Sequence, residues 1–247
     1  MMIDIAYVRY RENLPESATT FAAADGFTMQ GIPVVPYYGF GDLDEMHKNG
    51  RLTPNKLVAG YIGDVHKALD LLGKPIPPPL DYPEHLEGCY GRSITRGTLG
   101  DVRNGTEVRF VKPIKQKVFT GLVFDPADPI VRVKLATVAD EEPCFISELI
   151  DFVSEWRCYM RDGRIVGIKH YKGDEAIGFN RGKLDAMVSR SHGKMPAGCS
   201  IDIGVTSAGD TCIVECNDGF SLGNYGLPSI IYARLIEARW VELMKGA

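Results

Sequence analysis

The chain has 247 residues, 45% hydrophobic and 24% charged, an ordinary globular composition that suits one large domain or two small ones around a cleft. A formal net charge of −4 argues against a broad basic face for nucleic acid or anionic membrane, while leaving room for a local basic pocket that takes phosphate. The start, MMIDIAYVRY, has no basic segment leading into an apolar one, and no apolar run reaches about 18 residues, so we expect a soluble, cytoplasmic protein.

The first third alternates strand and helix patterns. IDIAYVR (3–9) reads as a strand, ESATTFAAADGFTMQG (16–31) as a helix with a glycine stop, and IPVVPYYG (32–39) as a second strand. That order predicts a βαβ unit with parallel strands, followed by a helix at 60–73. KPIPPPLDYPEHLEG (74–88) is the densest proline stretch and marks the expected boundary between an N-terminal domain, 1–78, and a second domain, 79–247.

Beyond it the pattern turns antiparallel. Short strands are expected at 107–113, 119–124, 130–136 and 144–150, and a hairpin over 155–171 turning at Asp162-Gly163. SRSHGKMPAG (189–198) reads as a loop, and LPSIIYARLIEARWVELM (227–244) as an amphipathic helix opened by proline. The fold class is therefore α+β with more than one lobe. Cys89, Cys144, Cys158, Cys199, Cys212 and Cys216 form no metal or redox spacing and read as small buried hydrophobes. The histidines form no spaced pair, and no G-x-S-x-G elbow is present.

IDIGVTSAGDTCIVECNDG (201–219) holds the main chemical signal. A two-residue turn at Ala208-Gly209 puts Asp202 opposite Glu215, and alternation puts Asn217 on the same side, with Cys212, Val214 and Cys216 on the other. Facing carboxylates repel unless a cation sits between them or one is protonated. With asparagine they form a hard-oxygen set of the kind that holds Mg²⁺; a solvated polar stripe is the competing reading. FVKPIKQKVFTG supplies Lys112 at a strand end, then Lys117 and a Thr120-Gly121 turn, which suit phosphate oxygens or simply face water. Glu155 and Arg157 share a strand face, where a surface ion pair is the plain alternative.

Taken in order, VKP, KVFTG, SELI, SEWRCYMRDGRIVG and IDIGVTSAGDTCIVECNDGFSLGNYG resemble the ATP-grasp superfamily over about residues 109–226. The nearer resemblance is to its clade of carboxylate–amine ligase-like proteins marked by one arginine and two lysines. It implies ATP clasped between two antiparallel α+β lobes, a central one at about 79–147 and a C-terminal one at about 148–247, preceded by the βαβ domain. It further implies Lys112 and Lys117 on the phosphates, the backbone near Glu148 and Ile150 at the adenine edge, and Glu155 on the ribose. Arg157 would serve the γ-phosphate or the carboxylate substrate, and Asp202, Glu215 and Asn217 would hold Mg²⁺, as two ions. Catalysis would fall to Arg157 and Lys117. Many relatives carry an arginine where Ser200 stands here, which leaves the acceptor chemistry open. The activity implied is ATP-dependent joining of a small-molecule or peptide carboxylate to an amine. A kinase-like phosphotransferase, a non-catalytic MgATP-binding module and a structural protein remain as alternatives. Ser221 and Tyr225, in the glycine-rich loop after the metal strand, are the expected substrate contacts.

Overall fold

The computed structural model describes residues 1–115 and 118–246. Its first sheet is built on β1 (Ile5–Arg11), flanked by the parallel strands β3 (Val34–Tyr37) and β4 (Lys56–Ala59), with the short β2 (Leu14–Pro15) antiparallel at its end. The expected βαβ unit is present: α1 (Ala18–Met29) joins β2 to β3, opened by a Ser17–Thr20 capping box. Helices α2 (Phe40–Lys48) and α3 (Ile62–Leu71) complete this region. Neither α2 nor β4 stood out in the sequence.

A second group, β5 (Ile94–Thr98), α4 (Leu99–Arg103), β6 (Arg109–Pro113), β7 (Leu122–Phe124), α5 (Pro129–Lys134) and β8 (Pro143–Ser147), forms an antiparallel sheet in the order β5-β8-β6-β7. The strand expected at 130–136 is instead α5. Asp128 caps it through Ile130 N, Pro129 opens it, and the buried side chains are Val131 within it and Leu135 at its C-cap, four residues apart. Its β-branched residues carried the strand reading, but Ile130 and Val133 face solvent, so period four overrides composition. The fourth strand of this sheet is β5.

The third sheet, in the order β10-β9-β11-β12, comprises β9 (Phe152–Arg161), β10 (Arg164–Gly173), β11 (Gly198–Thr206) and β12 (Thr211–Asp218), with α6 (Arg181–Arg190) between β10 and β11. Helix α6 was not foreseen, and it takes up Ser189 and Arg190 from the expected loop. The β9–β10 turn has positive φ at both Asp162 and Gly163, as its sequence requires. All six cysteines are free thiols, and all but the half-buried Cys89 are buried.

Helix α7 (Ser229–Lys245) returns to the first sheet and shares its core, with Trp240 Nε1 donating to Pro54 O at 2.9 Å. Its Arg239 forks onto Asp218 at the end of β12 (2.7 and 2.6 Å), so one helix ties the parallel sheet to the strand pair bearing the acidic residues. Among the described residues no helix is long and apolar enough to cross a membrane.

Candidate active site

The third sheet aligns one residue from each strand in a transverse row: Lys169, Arg157, Asp202 and Glu215 on β10, β9, β11 and β12. Asp202 does stand opposite Glu215, although the connection between their strands is not the expected one. The loop is Ser207-Ala208-Gly209, closed by Thr206 N donating to Asp210 O (2.8 Å), with Gly209 at φ +85°. This shifts the pairing by one, so that Ile203 faces Ile213; a bulge at Val214 then restores Asp202 to Glu215. Ile213 and Cys216 consequently share one buried cluster. Val214 turns into the cleft beside Glu215 rather than onto the face with Cys216. Arg92 fixes the bulge by donating to the carbonyls of Ile213 (2.9 Å) and Val214 (3.0 Å) on this edge strand.

The row divides by charge, with the cations Lys169 and Arg157 on one side and the anions Asp202 and Glu215 on the other. Asp202, 1% exposed, accepts from Arg157 Nε (2.8 Å) and Nη2 (2.6 Å), Ser200 Oγ (3.2 Å) and Asn217 Nδ2 (3.3 Å). Burial pushes its carboxyl up from the usual range, and the Arg157 fork opposes that shift. Arg157 is itself buried, and burial works against its charge, but Asp202 more than offsets this and raises its pKa. It is an ion pair desolvated on both sides.

Glu215 accepts from Lys112 Nζ (2.6 Å) and Asn217 Nδ2 (3.1 Å). Burial alone would raise its carboxyl, but the charge and hydrogen bond of Lys112 bring it below the usual carboxylate range. Lys112 Nζ also donates to Asp81 Oδ1. The four oxygen lone-pair directions of Asp202 are thus matched by four donors, whereas Glu215 keeps acceptor capacity. Among the described residues no group of three His, Cys, Asp or Glu is placed to hold a metal. The donors that fit a hard cation are Glu215 and Asn217, whose amide offers its oxygen once turned over, with Asp202 then losing one donor.

Two cavities meet at Glu215. One, of about 290 Å³, is lined by Tyr82, Glu148, Ile150, Phe152, Glu155 and Val214. The other, of about 390 Å³, is lined by Asp81, Lys112, Thr120, Gly121, Glu215 and Asn217. Phe110 and Glu215 border both. A third, of about 340 Å³, shares Ile62 with the second and lies between Ser17, Tyr61, Ser221 and Gly223. A wider groove along α7 and Arg161 includes none of the row's members and is not part of this arrangement.

Other expected site residues are placed as follows. Glu148 is exposed and accepts from Ser93 N (2.9 Å). Glu155 is buried, held by Lys172 Nζ (2.5 Å) and Tyr171 Oη (2.7 Å), with no ion pair to Arg157. Ser221 Oγ donates to Gly60 O (2.8 Å). Tyr225, at φ +45°, stacks on Tyr171 with ring centroids 5.1 Å apart and covers the Arg157 guanidinium at 5.0 Å. Lys117 lies outside the described residues. Sequence reasoning missed Asp81, Tyr82, Arg92, Tyr171 and Lys172. Only Tyr171 carried a signal, at the end of the expected hairpin that holds Glu155, with Lys172 one residue beyond it.

The pattern read in the sequence has an independent counterpart. Residues 90–235, more than half of the chain, match the model of an ATP-grasp domain family, the second family of the clade named for one arginine and two lysines. The chain belongs to this ATP-grasp family. Solved structures of similar fold include a D-alanine–D-alanine ligase from Bacillus anthracis complexed with ATP (16% identity, 99% of each chain, TM-score 0.56). The D-cycloserine synthetase DcsG (13% identity, 96% of this chain and 99% of that one, TM-score 0.60) is another. So is an L-amino acid ligase from Bacillus licheniformis (10% identity, 96% and 75%, TM-score 0.60). At such identity the likeness bears on the fold. No curated protein matches by sequence. The α+β, ATP-grasp expectation therefore holds, with two antiparallel sheets facing each other across the cavities and a parallel sheet preceding them.

Proposed function

We propose that this ATP-grasp chain is an ATP- and Mg²⁺-dependent ligase that activates a substrate carboxylate as an acyl phosphate and joins it to an amine. The observation that carries the reading is the charged row ending at Glu215, with Lys112 beside it, where two cavities meet. The first cavity suits base and ribose: Tyr82 and Phe152 are apolar walls, the chain at Glu148 and Ile150 supplies edge contacts, and Glu155 offers an acceptor. The second suits the triphosphate tail, with Lys112 as its fixed positive charge and Lys117 assigned to the same role. Solved relatives named as D-alanine–D-alanine and L-amino acid ligases make amino acids or short peptides the first acceptors to try.

Glu215, Asn217 and Asp202 would hold Mg²⁺, as two ions, which when bound neutralises phosphate oxygens as charge develops on them. Attack of a carboxylate on ATP brings two anions together, and Lys112 offsets that repulsion. The carboxylate oxygen bonds to the γ-phosphorus as ADP leaves. Amine nitrogen then bonds to the acyl carbon, phosphate leaves, and the amine gives up a proton to water. Arg157 takes the duty that Ser200 cannot. Its Nη1 makes no hydrogen bond to the described residues and lies on the Gly223 side, where an added Cβ would approach it to 3.4 Å. That donor is assigned to the carboxylate substrate, with Gly223 beside it and Tyr225 covering the guanidinium.

The test is to incubate the protein with ATP, Mg²⁺ and a panel of amino acids and short peptides. ADP and phosphate should form only when carboxylate and amine are both present, with a product mass equal to their sum less one water. A stable phosphorylated product would replace ligase with phosphotransferase, and nucleotide binding without turnover would replace it with a binding module.

The cavity walls give a further check. A Cβ added at Gly204 would stand 2.2 Å from the Phe152 ring, which lines the nucleotide cavity. Gly204→Ala should therefore lower stability by about 1–3 kcal/mol by overpacking. It should also raise KM for ATP more than it lowers kcat, measured by urea unfolding and steady-state kinetics.

A further inference from the structure

One carboxylate in the phosphate-end cavity lies outside the segment that matches the family. Asp81 sits in the proline-rich stretch before residue 90 and is 6% exposed. Its φ of +42° is left-handed, uncommon for a residue with a Cβ. Main-chain pairing holds it there: its carbonyl accepts from Cys216 N at 2.8 Å in an isolated antiparallel bridge to β12. The next residue, Tyr82, lines the other cavity, with Lys112 Nζ 5.7 Å from its ring centroid and Phe145 edge-on at 4.9 Å. This short stretch thus crosses both cavities, and its attachment to β12 rests on that bridge and on Leu80 and Tyr82 packing against the cluster that holds Ile213 and Cys216. The Asp81 carboxylate is free of that duty and meets Lys112.

We propose that Asp81 is a positioning residue of the ATP site: it tethers the Lys112 ammonium so that Glu215 can give up its hydrogen bond to Lys112 and take a divalent cation. The inference rests on the reading of these cavities as an MgATP site. An ammonium has three donors. Two are spent here, on Asp81 and Glu215, and the third is left for a phosphate oxygen. Without Asp81, Glu215 is the sole carboxylate partner of a half-buried ammonium, and the cation must compete for it. With Asp81, the ammonium keeps a partner when Glu215 turns to the metal.

Asp81→Asn keeps the shape and tolerates left-handed backbone, so the fold is retained. Two measurements test the proposal. In nucleotide-free protein, acylation of the Lys112 amine by a succinimidyl ester, mapped by mass spectrometry, should rise several-fold in Asp81→Asn and fall back in Asp81→Glu. By calorimetry with a non-hydrolysable ATP analogue, the Mg²⁺ concentration for half-maximal binding should rise by about tenfold, the equivalent of one lost charge-assisted contact. A purely structural role would lower the unfolding midpoint and leave both readings unchanged, which would overturn the proposal. A wild-type protein that binds no Mg²⁺–nucleotide would instead sink the MgATP reading, while the acylation rates still decide whether Asp81 holds Lys112.

Discussion

Arg157→Met should cost about 3–5 kcal/mol of folding stability at neutral pH, the largest loss expected from a single change in the site. Asp202 would be left 1% exposed with only Ser200 and Asn217 as donors. A buried carboxylate without its cation escapes the cost by taking up a proton, so the loss should depend on pH. Burial already holds the Asp202 carboxyl above its usual range, and removing Arg157 raises it further. A carboxyl with a folded pKa above the unfolded value of about 3.9 binds more protons in the native state between the two, so stability falls as pH rises through that window. The variant should therefore lie close to wild type near pH 4 and far below it at pH 8 in urea unfolding. Adding Asp202→Asn should recover much of the loss, because the pair is then absent rather than broken. A deficit under 1 kcal/mol at pH 8 would mean that the fork does not neutralise a desolvated charge.

That ion pair also shows where sequence reading stops. Asp202, Glu215 and Asn217 were legible because acids among strand residues break the apolar alternation. The pairing followed from counting outward from a turn, and it survives only because two departures cancel. The three-residue loop displaces the register by one, and the Val214 bulge returns it. Nothing in TCIVEC marks Val214 as the extra residue; what fixes it is Arg92 bonding two strand carbonyls from more than a hundred residues away. Arg157 was visible, its partner was not. Placing Arg157 beside Asp202 needs the order β9-β11-β12, and non-adjacent strand order is not encoded locally. Asp81 is the extreme case. In PPPLDYP it reads as linker, and only the backbone bridge to β12, formed far along the chain, brings its carboxylate to Lys112. The βαβ start, the 162–163 turn and α7 were readable since local period and turn chemistry suffice for them. Helix α5 misled because three of its six residues are Ile or Val, while its N-cap and N1 proline were the better guide.

Glu215→Ala should abolish turnover, by at least about a thousandfold in kcat/KM, while the chain stays folded. The two halves of this expectation have separate causes. Structurally, Lys112 loses one of two carboxylate partners and keeps Asp81, so no desolvated ammonium is stranded. Asp202 keeps the Arg157 fork. Functionally, Glu215 is the member of the row with spare acceptor capacity at the junction of both cavities, and Asp202, held by the Arg157 fork, borders neither of them and does not replace it. The acid limb of stability separates the charge from the packing. Lys112 holds the folded Glu215 carboxyl below its unfolded value of about 4.3, so its contribution is present above that pH and is lost as pH falls through the lower folded pKa. Glu215→Gln keeps the side-chain volume but should be as inactive as the alanine variant, and should show a shallower loss of stability below about pH 4.3 than wild type. Circular dichroism, urea unfolding at several pH values and ADP release measure the three quantities. An alanine variant with wild-type turnover would remove Glu215 from the metal set, and with it the reason for two opposed carboxylates on β11 and β12.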